Sequence, residues 1–481
     1  MYAEQNPWHQ TGAVPEEWAP PVRRALAHYL PSRLAHDAPR RFQLVLGPRR
    51  VGKTTALYQT AGALLAGGVP PERLWWLRLD HPLLMQVPLG ELVQGVMRAA
   101  GASGDSPLYL LLDELAYADQ WDLWLKTFYD DRWPVRVAAS SSSTAALRQG
   151  RLESGIGRWE EQFLTPYLFL EYLDLVGQSR PVPVGDSLAD TIERCIAGGV
   201  PTAGLAELRT RFMLTGGFPE LLLAFGGQAP DDATALLRSQ RVLRSDAVER
   251  AVYKDIPQVF GVDNPLLLER LLYVLAGQVG GVLSPTSICQ KLGSMSQPTF
   301  DKYLSYLERS FLVFTVPNYS GSELANQRRG RKLYFVDGSV RNAALQRGTS
   351  PLTDPTELGL LLENLVAGHL YALAQQADVR LYYWRERNDE VDVIFDHPSH
   401  PLAFEIASSA GHSRRGLQRL KERFPRFEGR CWVVVGAGQR SVRPTASPDG
   451  IGAISLDLLL LAISAQAARD LARRLAAVPP T

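Results

Sequence analysis

The stretch Gly47-Pro48-Arg49-Arg50-Val51-Gly52-Lys53-Thr54 has the spacing G-x-x-x-x-G-K-[ST] and comes directly after the apolar run Phe42-Gln43-Leu44-Val45-Leu46. The loop therefore leaves the end of a strand, the place where phosphate-binding loops work. Each part has a task. The glycines let backbone N–H groups wrap a β-phosphate, and Gly47, Pro48, Arg49, Arg50, Val51, Gly52, Lys53, Thr54 and Thr55 are the expected nucleotide-binding residues. Lys53 neutralises β/γ charge, Thr54 offers a hydroxyl to Mg²⁺, and the next helix points its N-terminus at the anion. Only seven of the 51 basic residues are lysines. A lysine at this position is therefore less easily ascribed to composition. ATP with Mg²⁺ is the expected ligand pair.

Leu108-Tyr109-Leu110-Leu111-Leu112-Asp113-Glu114 supplies an acidic strand end of the Walker B kind. Asp113 is expected to hold Mg²⁺, and Glu114 to polarise the attacking water. Two adjacent carboxylates after an apolar run also suit a helix N-terminus, and without the upstream loop the choice would stay open.

Bulk properties restrict little. At 481 residues, 46% hydrophobic and 21% charged, the chain has the composition of an ordinary globular protein with about three domains. A net charge of +1 excludes a global basic field, so any nucleic-acid contact must come from local patches. Cys195, Cys289 and Cys431 form no C-x-x-C pair, which predicts a reducing, cytoplasmic setting. The polar start Met1–Asn6 and the shortness of the apolar stretch Leu456–Ile463, which carries Asp457, predict neither export nor membrane insertion.

Along the chain, residues 1–39 read as a leader with a helix over Pro21–Leu34, in which Val22, Leu26 and Leu30 recur at four-residue spacing. Residues 40–178 alternate strands (Phe42–Leu46, Leu74–Leu79, Leu108–Leu112, Val135–Ala139, Gln162–Leu164) with helical stretches, the pattern of a parallel α/β sheet. Residues 179–255 read as a helical lid containing Gly216-Gly217-Phe218-Pro219-Glu220. Residues 256–348 run helix, helix, helix, strand, strand, which is winged-helix order. In the third helix Phe300, Tyr303, Leu304, Leu307 and Phe311 form the core face, leaving Thr299, Lys302, Ser305, Tyr306 and Arg309 outward. Arg328-Arg329-Gly330-Arg331-Lys332 suits a wing lying on phosphates, with Lys302 and Arg309 as further contacts; a solvated hairpin is the other reading. Residues 349–481 run α-β-β-β-α-β with Glu363, Asp392 and Glu405 along them, the layout of a PD-(D/E)XK nuclease core.

Taken with Trp121, Gly157-Arg158, Leu164–Tyr172, Gly216–Glu220 and Tyr383-Trp384-Arg385 before Glu390-Val391-Asp392, these motifs make residues 40 to 436 resemble bacterial and archaeal P-loop ATPases of the AAA+ superfamily that carry a C-terminal domain of unknown function. The resemblance implies that Ser140 takes the sensor-1 place and Arg158 that of the arginine finger. A finger acts on a neighbouring subunit's nucleotide, which implies a ring, most plausibly a hexamer. A surface arginine capping a helix is the other reading of Arg158. The nuclease motif departs from its pattern, because Phe404-Glu405-Ile406-Ala407 has alanine where the catalytic lysine belongs. No nuclease activity is expected unless a lysine reaches in from the next helix, where Lys421, or less suitably Arg414 or Arg415, is available. The functional expectation is an ATP-hydrolysing oligomeric motor on duplex or branched DNA. The alternative is a regulatory NTPase that binds a partner protein and not DNA.

Overall fold

The computed structural model describes residues 2–35, 40–142, 157–225, 233–293, 295–321, 330–407, 413–436 and 439–476. The first sheet has five parallel strands, β1 (Phe42–Leu46), β2 (Leu74–Arg78), β3 (Leu108–Asp113), β4 (Val135–Ser141) and β5 (Trp159–Phe163), in the spatial order β2-β3-β4-β1-β5. β1 is buried at every position because both faces of the sheet are covered, the usual condition of a parallel strand. One face packs Leu44, Leu110 and Val137 against the helices Leu89–Ala100 and Trp121–Asp130. The other meets the helix Lys53–Ala66. β4 lies between the strand that leads to the phosphate loop and the strand that ends in Asp113, so its carboxyl end opens between them. That interposition places Ser140 at the site, with Val45 and Ser140 in register.

The leader completes this sheet. The Asn6 amide accepts from the Trp76 N–H (2.6 Å) and donates to its carbonyl (3.1 Å), and the buried Trp8 indole donates to the Leu74 carbonyl, capping the edge strand β2 with side chains. The leader helix is Ala25–Ala35 rather than Pro21–Leu34. Pro20 and Pro21 precede it, and Val22, expected in the apolar stripe, is exposed. β5 likewise begins earlier than the expected Gln162, because its polar residues pair with β1 instead of announcing an apolar run.

Helices over Leu188–Gly198, Leu205–Thr215, Pro219–Phe225 and Ala233–Leu243 follow, and the last continues through π-helical turns to Asp255. Then come Pro265–Ala276, Pro285–Leu292 and Gln297–Arg309 and the antiparallel hairpin β6 (Val313–Pro317) and β7 (Arg331–Phe335). Tyr306, expected to face outward, is buried and stacks on Phe260 at 4.0 Å; Phe311 leaves this unit and packs in the first sheet's core beside Phe163.

The last unit holds the helix Pro355–Ala377 and the strands β8 (Leu381–Glu386), β9 (Asp389–Phe395), β10 (Leu402–Ile406), β11 (Cys431–Val435) and β12 (Ile451–Ser455). β8, β9 and β10 are antiparallel and β10, β11 and β12 parallel. β12 and the helix Leu456–Ala476 add to the elements expected from sequence. The apolar stretch read only as too short for a membrane is the start of that helix, which packs against Pro355–Ala377 and against helices of the first and second units.

Candidate functional site

The loop after β1 closes tightly. A methyl group at Gly47 would lie 2.0 Å from the Leu164 carbonyl oxygen, and Gly52 has φ +92°, so neither position accepts a side chain. Thr54 and Thr55 open the helix Lys53–Ala66. Lys53 is buried and donates to the carbonyls of Gly47 (2.9 Å) and Pro48 (2.8 Å); burial lowers its pKa against the pull of Glu114 and Asp113. The Thr54 hydroxyl lies 3.2 and 3.1 Å from the two Asp113 oxygens, a pairing that suits shared ligation of a hard cation. Ser140 donates to Asp113 and accepts from the Glu114 N–H at 3.0 Å. Burial, and next the Glu114 charge, push Asp113 up to about 6, the condition expected of a carboxylate placed for a cation. Glu114 accepts from the Ser142 hydroxyl at 3.1 Å.

The two arginines of the loop do more than shape it. Arg49 makes a two-pronged ion pair with Asp255, touches the Tyr117 hydroxyl at 3.3 Å and lies 3.9 Å from Glu114. Tyr117 also donates to Asp255 at 3.2 Å. Arg50 pairs with Glu220 and, at 2.5 Å, with Asp246. Pro219 lies over the loop, 3.6 Å from a methyl group placed on Gly52. Arg24 of the leader braces the far side, donating to the Val51 carbonyl (3.3 Å) and pairing with Glu171. The Arg158 carbonyl accepts from the Phe42 N–H, which puts this residue beside the amino end of β1, opposite the phosphate loop. Its guanidinium binds both oxygens of Asp130 at 2.8 and 2.9 Å and does not reach this chain's own loop.

The basic-wing expectation needs correction. Arg328 and Arg329 lie outside the described residues. Lys302 is exposed, Arg309 is half-buried, and Arg331 is half-exposed and paired with Asp301 at 3.3 Å. Lys332 is buried, its ammonium 2.6 Å from Glu390, 3.2 Å from Asp392 and 3.3 Å from Glu363. It cannot lie on phosphates. Burial opposes its charge, but Tyr334 and those carboxylates hold its pKa well above the ordinary value. Burial and Asp392 push Glu363 up to about 7 and Glu405 up to about 8. Lys421 is turned away to the Asp449 carbonyl (2.6 Å) and Arg414 to Asp449, while Arg415 pairs with Asp389. None of these three supplies the missing lysine.

Residues 39–173 match the AAA domain family. This part of the chain is an AAA-type P-loop ATPase domain. Behind the AAA domain, residues 206–351 and 358–456 match two domains of unknown function, DUF8612 and DUF4143. The first of these runs through much of the expected lid and all of the expected winged-helix segment. The chain is 22% identical over 395 residues to an uncharacterized protein of Haemophilus influenzae, covering 80% of this chain and 88% of that one. It is 24% identical over 402 residues to the uncharacterized protein MJ1637 of Methanocaldococcus jannaschii, covering 82% and 80%. Among solved structures it is similar to the Walker-type ATPase paby2304 of Pyrococcus abyssi (14% identity, TM-score 0.40, 66% of this chain and 94% of that one). It is also similar to Cdc6p of Pyrobaculum aerophilum (15%, 0.28, 69% and 98%).

Sequence reasoning found the AAA domain's Lys53, Thr54, Asp113, Glu114 and Ser140, which the fold brings together. It missed Tyr117, Ser142 and Asp255. Asp255 had one available signal, two arginines inside the phosphate loop with no acidic partner near them in sequence.

Proposed function

We propose that this protein is a Mg²⁺-dependent ATP hydrolase in which the occupancy of the phosphate loop is passed to the helices behind the AAA domain. One observation carries this reading. Both loop arginines are held by carboxylates of residues 220–255, so a triphosphate entering the loop competes with Asp255, Glu220 and Asp246 for them. Lys53 would exchange the Gly47 and Pro48 carbonyls for phosphate oxygens. Thr54 and Asp113 would hold the metal, Ser140 would fix the Asp113 carboxylate, and Glu114, released from Ser142, would orient water. The chemistry supplied by Mg²⁺ at Thr54 and Asp113 would be neutralisation of phosphate charge. Lys53→Ala is expected to lose nucleotide binding, and Glu114→Gln to bind ATP while hydrolysing it at least about 100-fold more slowly. Normal turnover by the glutamine variant would remove Glu114 from the mechanism.

A second reading adds a target and an assembly. The three helices followed by a hairpin have winged-helix order and, with Lys302, Arg331, Arg328 and Arg329, favour DNA; the unit that follows has the element order of a PD-(D/E)XK core. Arg158 would act as a finger only in a neighbouring copy, within a ring. Hydrolysis measured with duplex, single-stranded and four-way-junction DNA at two salt concentrations, together with the mass of the ATP-bound assembly, tests both parts. Stimulation by one DNA form in a ring-sized complex supports a motor. Slow, unstimulated hydrolysis favours a regulatory switch with a protein partner.

A further inference from the structure

The PD-(D/E)XK likeness would place a divalent cation among Glu363, Asp392 and Glu405, and the residues present do not fit one. Among the described residues no three His, Cys, Asp or Glu side chains are grouped to hold a metal ion. The position is taken by Lys332, which comes from the hairpin of the preceding unit. We propose that the Lys332 ammonium is the resident cation of this carboxylate site, taking a divalent ion's place and locking β7 to the last unit.

The fit is chemical as well as electrostatic. An ammonium has three N–H donors, and Lys332 faces three carboxylates, Glu390 (2.6 Å), Asp392 (3.2 Å) and Glu363 (3.3 Å). These are N–H···O distances, too long for oxygens gathered around Mg²⁺ or Mn²⁺. Two further contacts to these carboxylates also come from protein. Glu363 accepts from the Tyr334 hydroxyl at 2.7 Å, and the second Asp392 oxygen accepts from the Ile406 N–H at 2.9 Å.

The site is closed around the lysine. Its side chain is 2% exposed, and the Tyr383 ring lies 5.7 Å from the ammonium. The turn at Gly280, φ +72°, comes so close that a methyl group there would lie 2.9 Å from Glu363. The hairpin is fastened to β8 by the Tyr319 N–H to the Tyr383 carbonyl (2.7 Å) and by the Tyr383 hydroxyl to the Gly330 carbonyl (3.2 Å). Gathering the largely buried Glu363 and Asp392 beside Glu390 is costly without a cation, which makes Lys332 a lock between two units and not a bystander.

The test is Mn²⁺ binding by titration calorimetry on full-length, nucleotide-free protein, paired with thermal melting. Lys332→Met is expected to bind one more Mn²⁺ per chain than wild type and to melt higher when Mn²⁺ is added; wild type and Asp392→Asn should give matching Mn²⁺ isotherms. If Lys332→Met fails to fold, the double variant K332M/E390Q, which removes the ammonium together with its nearest carboxylate and keeps Glu363, Asp392 and Glu405, carries the same comparison. The proposal is overturned if the lysine-free variants bind no more Mn²⁺ than wild type. It is equally overturned if wild type already binds an ion that Asp392→Asn loses, since the site would then be a metal centre with Lys332 beside it. The phosphate-loop site contributes equally to every variant, so failure here leaves the ATPase reading untouched.

Discussion

Glu405 sits on β10 facing Asp392, Glu390 and Lys332, with Cys431 on the adjoining strand, and it is almost fully buried. Its pKa rises from an unfolded 4.5 to about 8, so the folded protein binds the proton more tightly than the unfolded chain. The stabilisation is complete below about pH 4.5 and is lost as pH rises towards 8, because the unfolded chain ionises first. Glu363 acts in the same sense over a window ending near 7, whereas Lys332, with a raised pKa, stays charged throughout. Melting between pH 5 and 8 should therefore show stability falling with pH, by up to about 4 kcal/mol from Glu405 alone. Glu405→Gln should flatten that slope and be the more stable protein at pH 8. A slope unchanged by the substitution would place the titration elsewhere.

At the scale of elements, the phosphate loop was legible because its chemistry is written in eight consecutive residues, and β1, β3 and β4 because burial on both faces demands apolar runs. What links elements was not. Asp255 lies 206 residues from Arg49, and Lys332 lies 31 and 60 residues from Glu363 and Asp392, so nothing local distinguishes a wing lysine from a site lysine. The helix Leu456–Ala476 was missed because a short apolar run has no period that separates a buried helix from other buried segments. The loop-to-helix link makes its own prediction. Asp255→Asn removes the charge that holds Arg49 and leaves the guanidinium to a phosphate, so ATP should bind roughly tenfold more tightly. The nucleotide-free variant should meanwhile melt lower, since Arg49 loses its partner. Equal ATP affinity in variant and wild type, measured by equilibrium titration, would show that Asp255 does not compete with the nucleotide.

Across the whole molecule, one apolar core runs from Trp8 of the leader to Leu475 near the end of the last helix, so the three units share an interior. Buried polar contacts fix their registry. The Phe169 N–H donates to the Nε2 atom of His369 at 3.0 Å, Gly217 donates to Asp337 at 2.7 Å, and Arg209 pairs with Asp457. His369 is kept neutral by burial, its pKa pushed down to about 4, which suits a ring that accepts a backbone hydrogen bond. The Arg209–Asp457 pair ties the second unit to the last helix, with side chains 12% and 3% exposed. Its two halves should not be equivalent. Asp457→Ala strands a guanidinium that cannot lose its proton, so it should cost about 3–5 kcal/mol at any pH near neutrality. Arg209→Ala strands a carboxylate whose pKa burial already raises, and that group escapes by taking up a proton. The second variant should therefore be the milder one at pH 5 and approach the first as pH rises to 8. Denaturant titrations at both pH values decide it. Equal losses independent of pH would mean that the pair is solvated and does not hold the units together.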